Sequence, residues 1–589
     1  MRKLFTCKLI FLSLFSIAQT IPANRIFNWR HSGYEGNLPM PPQIIDITSF
    51  GGVGDNVTDN SIFLQNAIAS SPGSKVIYFP VGNFVFNSTI NLDDSIVLRG
   101  SSSDSSKLIF DFAGAIGNGI NIVGTVGSFV NVISGAERYN NFVTVNDPSS
   151  FSSGDFAEIQ ETNGAWDTQP VSWADNSVGQ IMKITSINSD TLFFDEQLRI
   201  NYDYNLTPVI RKVIPKREIG IECLQISRRD SVHVGVCFNI NLSHAANCWI
   251  KGNEIATSIG SHIEVDASTN ITIKNNFIHH NFEYDGTSTH GYGITLFGHT
   301  GQCRIENNIM RHLRHSFSLQ CGANGNVIAY NYSSDPNRSE FPADFGADIS
   351  MHGHYTYANL FEGNIVQNIQ IDQTWGPTGP FNTFFRNRAE LYGIFMSSGT
   401  AQSDSLNFVG NEVTNTGLFM GMYTLTGSNH FEFGNNIRGT ITPTGTTPLP
   451  DTSYYLDSLP TFWTSNLFPT IGIPNTISSG TIPAKSRFQS GVGLAYCDEA
   501  INTTIDEQFD QSFLQIFPNP FHDQLTINLP NAISREINVS IIDLQGRIVF
   551  TTSHQLRNGQ NEIKIPISNI HRGIYIISVD GKRKILMQE

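Results

Sequence analysis

Charge is scarce in this sequence: 15% of the 589 residues are ionisable acids or bases of the Asp, Glu, Lys and Arg type. Basic residues are scarcer still, 36 Lys and Arg against 51 Asp and Glu, for a net charge of −15. That balance argues against nucleic acid or an anionic membrane as a partner. It leaves an acidic polysaccharide open, because a local basic cleft can coexist with an acidic whole. Beyond the first twenty residues no apolar run is long enough to span a membrane. Cysteine is sparse too. Cys7 sits in the N-terminal leader, and Cys223, Cys237, Cys248, Cys303, Cys321 and Cys497 form no CxxC pair, which argues against a zinc ribbon. Disulfides and buried free thiols both fit these six.

What is abundant is Gly, Asn, Ser and Thr, which suits β-structure rich in turns and disfavours long helices. The length exceeds one compact globule, so several domains or an elongated repeat are expected. Residues 1–23 read as a secretory signal peptide: Arg2, Lys3 and Lys8, an apolar run, then small and polar residues with cleavage near Ala18 to Ala23. From residue 245 a short phrase recurs, an apolar residue, two others, then Asn. It ends at Asn253, Asn276, Asn308, Asn331, Asn364, Asn387, Asn411 and Asn436, at spacings of 23, 32, 23, 33, 23, 24 and 25 residues. A period of 20 to 30 with short strands signals a β-solenoid. Stacked asparagines can bond along the coils and tolerate left-handed backbone, so they read as structural.

The stretch from Ile47 to Phe86, "ITSFGGVGDNVTDNSIFLQNAIASSPGSKVIYFPVGNFVF", resembles the opening of the pectate-lyase/polygalacturonase-like superfamily. That resemblance implies an all-β chain built as a right-handed parallel β-helix over 24–440. "DNVTDNSIFLQNAI" reads as a capped amphipathic helix over its open end. Residues 125–215 alternate like antiparallel strands and predict a β-rich insertion, in which Trp166 and Trp173 flank a cleft or serve as packing. A loop-rich extension or linker is expected over 441–510. Residues 511–589 resemble the C-terminal sorting domain of bacterial type IX secretion, on Pro518-Asn519-Pro520, Asp543, Gly546, Gly573 and Lys584. That resemblance implies a small β-sandwich, recognition by the secretion machinery, export through the periplasm, and a secreted or cell-surface protein. His522 and His571 inside it read as structural. A monomer is expected, as is common for capped parallel β-helices.

Two coils are longer than the rest, with surplus in 279–293 and 333–354, and such insertions usually build a binding surface. Eight of the 16 histidines lie between 279 and 354. In "SHIEVDA" Ile263 and Val265 should face inward, leaving Glu264 and Asp266 outward. In "ADISMHGH" Ile349 and Met351 should face inward, leaving Asp348, Ser350, His352 and His354 outward. Counting back from the repeat asparagines puts Glu264 in register with His352 and Asp266 with His354, about 14 Å apart along the axis. Trp375 follows one coil on, as a stacking surface for sugar.

Two chemistries fit. A polysaccharide lyase needs a base and a cation or metal to neutralise a uronate. His290, His299, Arg311, His312, His315, His352 and His354 are the catalytic candidates, with Tyr292 and Arg314 as substrate contacts. An inverting glycoside hydrolase needs two carboxyls, and Glu264 and Asp266 have compatible spacing. The polygalacturonase set is not intact: no "RIK" is present, and Gly298 to Thr300 only partly match "GHG". For a cofactor, a divalent cation such as Ca2+ held by Asp344 or Asp348 with the histidines is the candidate. A non-catalytic glycan-binding helix is the third reading.

Overall fold

The structure, a computed structural model, describes residues 20–231, 235–463 and 467–497 and the strands within 515–588. The signal-peptide expectation therefore lies outside the described residues apart from 20–23, as do Pro518–Pro520, His522, Gly546 and His571. The chain forms two compact units, Met1–Cys497 and Asp498–Glu589.

The first unit is a parallel β-helix with three strands per coil. The first face runs through strands such as Ala245–Lys251, Thr269–Lys274, Arg304–Glu306, Val327–Ala329, Leu360–Glu362 and Thr383–Phe385, each paired in parallel with the next. The second face includes Glu254–Ala256, Phe277–His279, Ile309–Arg311 and Tyr332–Ser334. The third, which positions the candidate site, includes Ile120–Val123, Ile240–Ser243, Ile263–Asp266, Tyr292–Phe297, His315–Leu319 and Ile349–Met351. β-Branched and aromatic side chains from all three faces fill one continuous core. Its last coils hold stacked rings, Phe361 on Phe384 at 4.8 Å and Phe384 on Phe408 at 5.1 Å between centroids. At the N-terminal end the helix Ser61–Ala69 sends Leu64 and Ala67 into the same core.

The repeat asparagines form a buried ladder at the turn between the first and second faces. Asn331 shows the pattern: its Oδ1 accepts the Asn308 backbone N–H at 2.9 Å, and its Nδ2 donates to the Ile305 carbonyl at 2.9 Å and to Asn364 Oδ1 at 3.0 Å. Each amide thus satisfies backbone groups that burial would otherwise leave unpaired. The ladder ends at Asn435 rather than the expected Asn436, because Asn411 N–H donates to Asn435 Oδ1. A second ladder, not foreseen, runs through Asn326, Asn359 and Asn382 at the turn into the first face.

Between the third face of one early coil and the first face of the next, residues 125–214 form the expected insertion, seven antiparallel strands around their own core. Residues 441–497 pack back onto the helix: Leu449, Tyr454, Tyr455 and Trp463 share a cluster with Trp29, Tyr330 and Phe385. A Cys223–Cys497 disulfide closes this segment, while Cys237, Cys248, Cys303 and Cys321 are free and buried. In the second unit a three-stranded and a four-stranded antiparallel sheet share one core that includes Leu525, Ile541, Ile563 and Ile577, as a small sandwich requires.

Candidate active site

The third face is where the long coils and the insertion meet. Ile263, Val265, Ile294, Leu296, Phe317, Leu319, Ile349 and Met351 all enter the core. Their neighbours Glu264, Thr295, Ser318 and Ser350 form one in-register column facing the other way. A second column starts at Asp266 and Phe297; extending the same register by one residue past Leu319, Met351 and Ile371 brings Gln320, His352 and Asp372 into it. Asp266 is therefore level with His352, and Glu264 with Ser350. This corrects the expected pairing of Glu264 with His352 and of Asp266 with His354. The count back from the asparagines failed because the turn lengthens along the helix: the bridged positions after these strands are Thr269, Gly301, Asn324 and Tyr357.

Three rings converge over this face. Tyr292 and His315 lie 4.6 Å apart between centroids, His315 and His352 5.6 Å, and Tyr292 and His352 6.3 Å. His352 pairs through Nδ1 with Asp372 Oδ2 at 2.9 Å, and its side chain is 16% exposed. Asp372 also accepts from the Thr374 backbone at 3.0 Å and from Ser397 Oγ at 2.9 Å. Burial pushes the Asp372 carboxyl up, but the bond to and charge of His352 outweigh it and hold the group well below the usual carboxylate range. His315 points Nδ1 at the Ala347 carbonyl, 2.9 Å away. A carbonyl needs an N–H, so Nε2 is left with its lone pair. Burial, then Arg314 and His352 nearby, push the His315 pKa well down, so the ring is neutral. Arg314 lies over the Tyr292 ring and donates from Nη2 to the phenol oxygen at 2.9 Å, while its Nε and Nη1 are buried without a partner. Burial raises the Tyr292 pKa against the pull of Arg314, so its hydroxyl keeps its proton.

One rim is aromatic. Trp173, from the insertion, stands 5.8 Å from Trp375 and 6.3 Å from Phe297. Trp173 and Trp375 are 46% and 37% exposed, enough ring face to meet a sugar. Asp266 and Glu264 lie on the floor. Burial, with Asp266 adding to it, raises Glu264 to about 8, and burial, then Glu158, raises Asp266 to about 6. Glu264 Oε2 and Ser350 Oγ are buried and unpartnered.

The remaining candidates lie elsewhere. His299 is fixed between Glu158 Oε1 and the Asn176 carbonyl, both at 2.7 Å, and so fastens the insertion to the helix instead of facing the groove. His354 is fully buried, with Nε2 against the Gln169 carbonyl at 3.2 Å and its ring against Trp173. It too holds the insertion, contrary to the outward, substrate-facing position expected of it. Arg311 and His312 share Asp335 at the turn between second and third faces, at 3.7 and 3.1 Å. His290 bonds Asp285 within its own loop at 3.0 Å. The metal expectation for Asp344 and Asp348 fails on donor chemistry. Asp348, expected outward, is buried and takes Ser333 Oγ at 2.5 Å and the backbone N–H groups of Gln367 and Asn368 at 2.7 and 2.8 Å. Asp344 accepts from Tyr392 Oη at 3.1 Å. Among the described residues no three His, Cys, Asp or Glu side chains converge as a metal would need. Sequence reasoning does not find Asp372. The alternation of "IQID" is the signal for it, since Ile369 and Ile371 are core and Asp372 follows them outward.

Residues 44–310 match the family described as Rhamnogalacturonase A/epimerase, pectate lyase-like. Residues 515–589 match the secretion system C-terminal sorting domain. The chain thus combines a pectate-lyase-like parallel β-helix with a type IX sorting tail that directs it to the cell surface or the medium. Among solved structures it is similar to the tailspike gp61 of Pseudomonas phage phi297, at 13% identity and a TM-score of 0.40 over 69% of this chain and 81% of that one. It is also similar to the A-module of the mannuronan C-5 epimerase AlgE4 of Azotobacter vinelandii, at 12% and 0.34 over 67% and 92%. A third is the catalytic unit of the GH87 alpha-1,3-glucanase of Streptomyces thermodiastaticus strain HF3-3, at 11% and 0.35 over 70% and 68%. No curated protein matches the sequence. No helix among the described residues is long and apolar enough to cross a membrane.

Proposed function

We propose that this is a polysaccharide lyase, cleaving a uronate-containing polysaccharide by β-elimination. The observation that carries the reading is the convergence of His352, backed by Asp372, with Tyr292 and Arg314 beside an aromatic rim. The Asp372 carboxylate fixes the tautomer that presents His352 Nε2 outward as base. That nitrogen takes the proton at C5, next to the uronate carboxylate. The C5–H electrons form the C4–C5 double bond and the C4–O bond breaks. Tyr292, its oxygen already receiving a hydrogen bond from Arg314, gives its proton to the leaving oxygen. Arg314 supplies the positive charge that the developing carbanion and the uronate need. Neutral His315 offers Nε2 as a second acceptor between the two.

His352→Ala and Tyr292→Phe are each expected to lower kcat by about 10²- to 10⁴-fold, the range for loss of a general base or acid, with polysaccharide affinity largely kept. Unchanged kcat in His352→Ala would remove the base from the mechanism.

The second reading, an inverting hydrolase, is favoured by one observation: the raised pKa of Glu264 suits a general acid. It makes Glu264 and Asp266, rather than His352, the residues whose loss abolishes product.

A further inference from the structure

The third face continues toward the N-terminus beyond Glu264, and there its character changes. In register below Glu264 stand Asn241, Asn121 and Asn91, one per coil. Asn241 Nδ2 donates to Asn121 Oδ1 at 3.2 Å, Asn121 Nδ2 to Asn91 Oδ1 at 3.3 Å, and Asn118 Nδ2 to Asn121 Oδ1 at 2.9 Å. This is a third asparagine ladder, unlike the other two. Those are buried and serve backbone groups. This one reaches the surface, with Asn91 exposed and Asn121 and Asn241 partly so, and the bonds between its amides serve no backbone group. Asn is a poor strand residue, so three in register on an open face are not explained by strand stability. Each amide keeps donor or acceptor capacity toward solvent.

Cations are missing from the strands of this face, Arg314 entering the site from the turn just before His315–Leu319. The third-face segments 90–91, 120–123, 240–243, 263–266, 292–297, 315–319, 349–351, 369–371 and 393–396 contain no Lys or Arg. A chain of consecutive uronates would place a negative charge at every step along such a face, next to Asp266 and Asp372. Resting on the elimination reading, which needs one uronate at His352 and Arg314, we infer that Asn91, Asn121 and Asn241 form a remote subsite for neutral sugars. The amides hydrogen-bond hydroxyls there, about three to five coil spacings of 4.8 Å from His315. The polymer it takes then carries its uronates sparsely, separated by neutral residues.

The test is affinity electrophoresis of the full chain bearing His352→Ala, in gels containing polygalacturonate, alginate or gellan, whose repeat has one uronate in four sugars. Strongest retention in gellan is expected, weakened tenfold or more when Asn121→Ala and Asn241→Ala are added, with little change in alginate. Strongest retention by either homopolyuronate, no retention in any gel, or retention indifferent to the two asparagines would overturn the subsite. Retention needs no turnover. Retention of the variant in gellan through these asparagines, with no unsaturated product formed by the parent chain from any uronate polymer, would refute the elimination and leave the subsite standing.

Discussion

Glu264 concentrates the electrostatic cost of this face in one side chain. In the folded chain it stays protonated up to about pH 8, whereas an unfolded chain ionises it near its ordinary value of 4.5. Between those two values the folded state binds the extra proton, so stability falls as pH rises through that window. Each tenfold difference in proton affinity between the two states is worth about 1.4 kcal/mol. Glu264→Gln removes the titration. The variant should therefore melt higher than the parent at pH 8.5 and gain nothing at pH 4.5. A melting difference that is the same at both values would contradict the raised pKa. Residue-scale chemistry was the least legible part of the sequence. Alternation puts Glu264 and Asp266 outside the core, yet it does not reveal the burial that raises both, nor Glu158 of the insertion acting on Asp266. Asp348 departs from the alternation because it stands just before the strand Ile349–Met351, where Ser333 and the backbone N–H groups of Gln367 and Asn368 hold its carboxylate in a buried position.

At the scale of elements, the insertion and the coils are held together by histidines that the sequence marked as catalytic. His299 is wedged against Gly179 and Gly322, and a Cβ on Gly179 would come within 2.5 Å of the His299 ring. Gly179→Ala should push His299 out of its bonds to Glu158 and Asn176. Burial alone would raise Glu158, but the bond to His299, then its charge and that of Arg211, hold the carboxyl at about 2, so losing that partner uncouples a buried charge. Hydrogen–deuterium exchange should rise in 156–183 while the core strands of the helix stay protected. Equal protection of both regions would show that the insertion docks by other contacts. Clustered histidine in a sequence does not separate fasteners from catalysts. What separates them here is which element lies opposite: His352 faces Asp372 on the next coil, and His299 and His354 face the insertion.

At the scale of the whole molecule, the parallel helix, the antiparallel insertion and the C-terminal sandwich were all readable. The repeat asparagines, the alternation in 125–215 and the motifs of the tail are short-range signals that survive without knowledge of contacts. The packing of 441–497 was not readable, because a loop-rich segment gives no periodic sign of what it covers. Its anchor is the Cys223–Cys497 disulfide, which closes a loop of 274 residues. Chain entropy assigns such a closure about 5.6 kcal/mol. Cys497→Ser should lower the melting temperature and open 441–497 to limited chymotrypsin digestion, since Tyr454, Tyr455 and Trp463 lie in that segment. Digestion at an unchanged rate would mean that the apolar contacts alone hold it.

The central claim concerns the bond-breaking step, and one measurement addresses it directly. The full chain is incubated with a panel of uronate-containing and neutral polysaccharides, and ultraviolet absorbance from unsaturated uronate is followed together with reducing ends. Elimination predicts that both signals rise in step on at least one uronate polymer and that both vanish in His352→Ala. Reducing ends appearing without absorbance would contradict elimination and move Glu264 and Asp266 into the catalytic role.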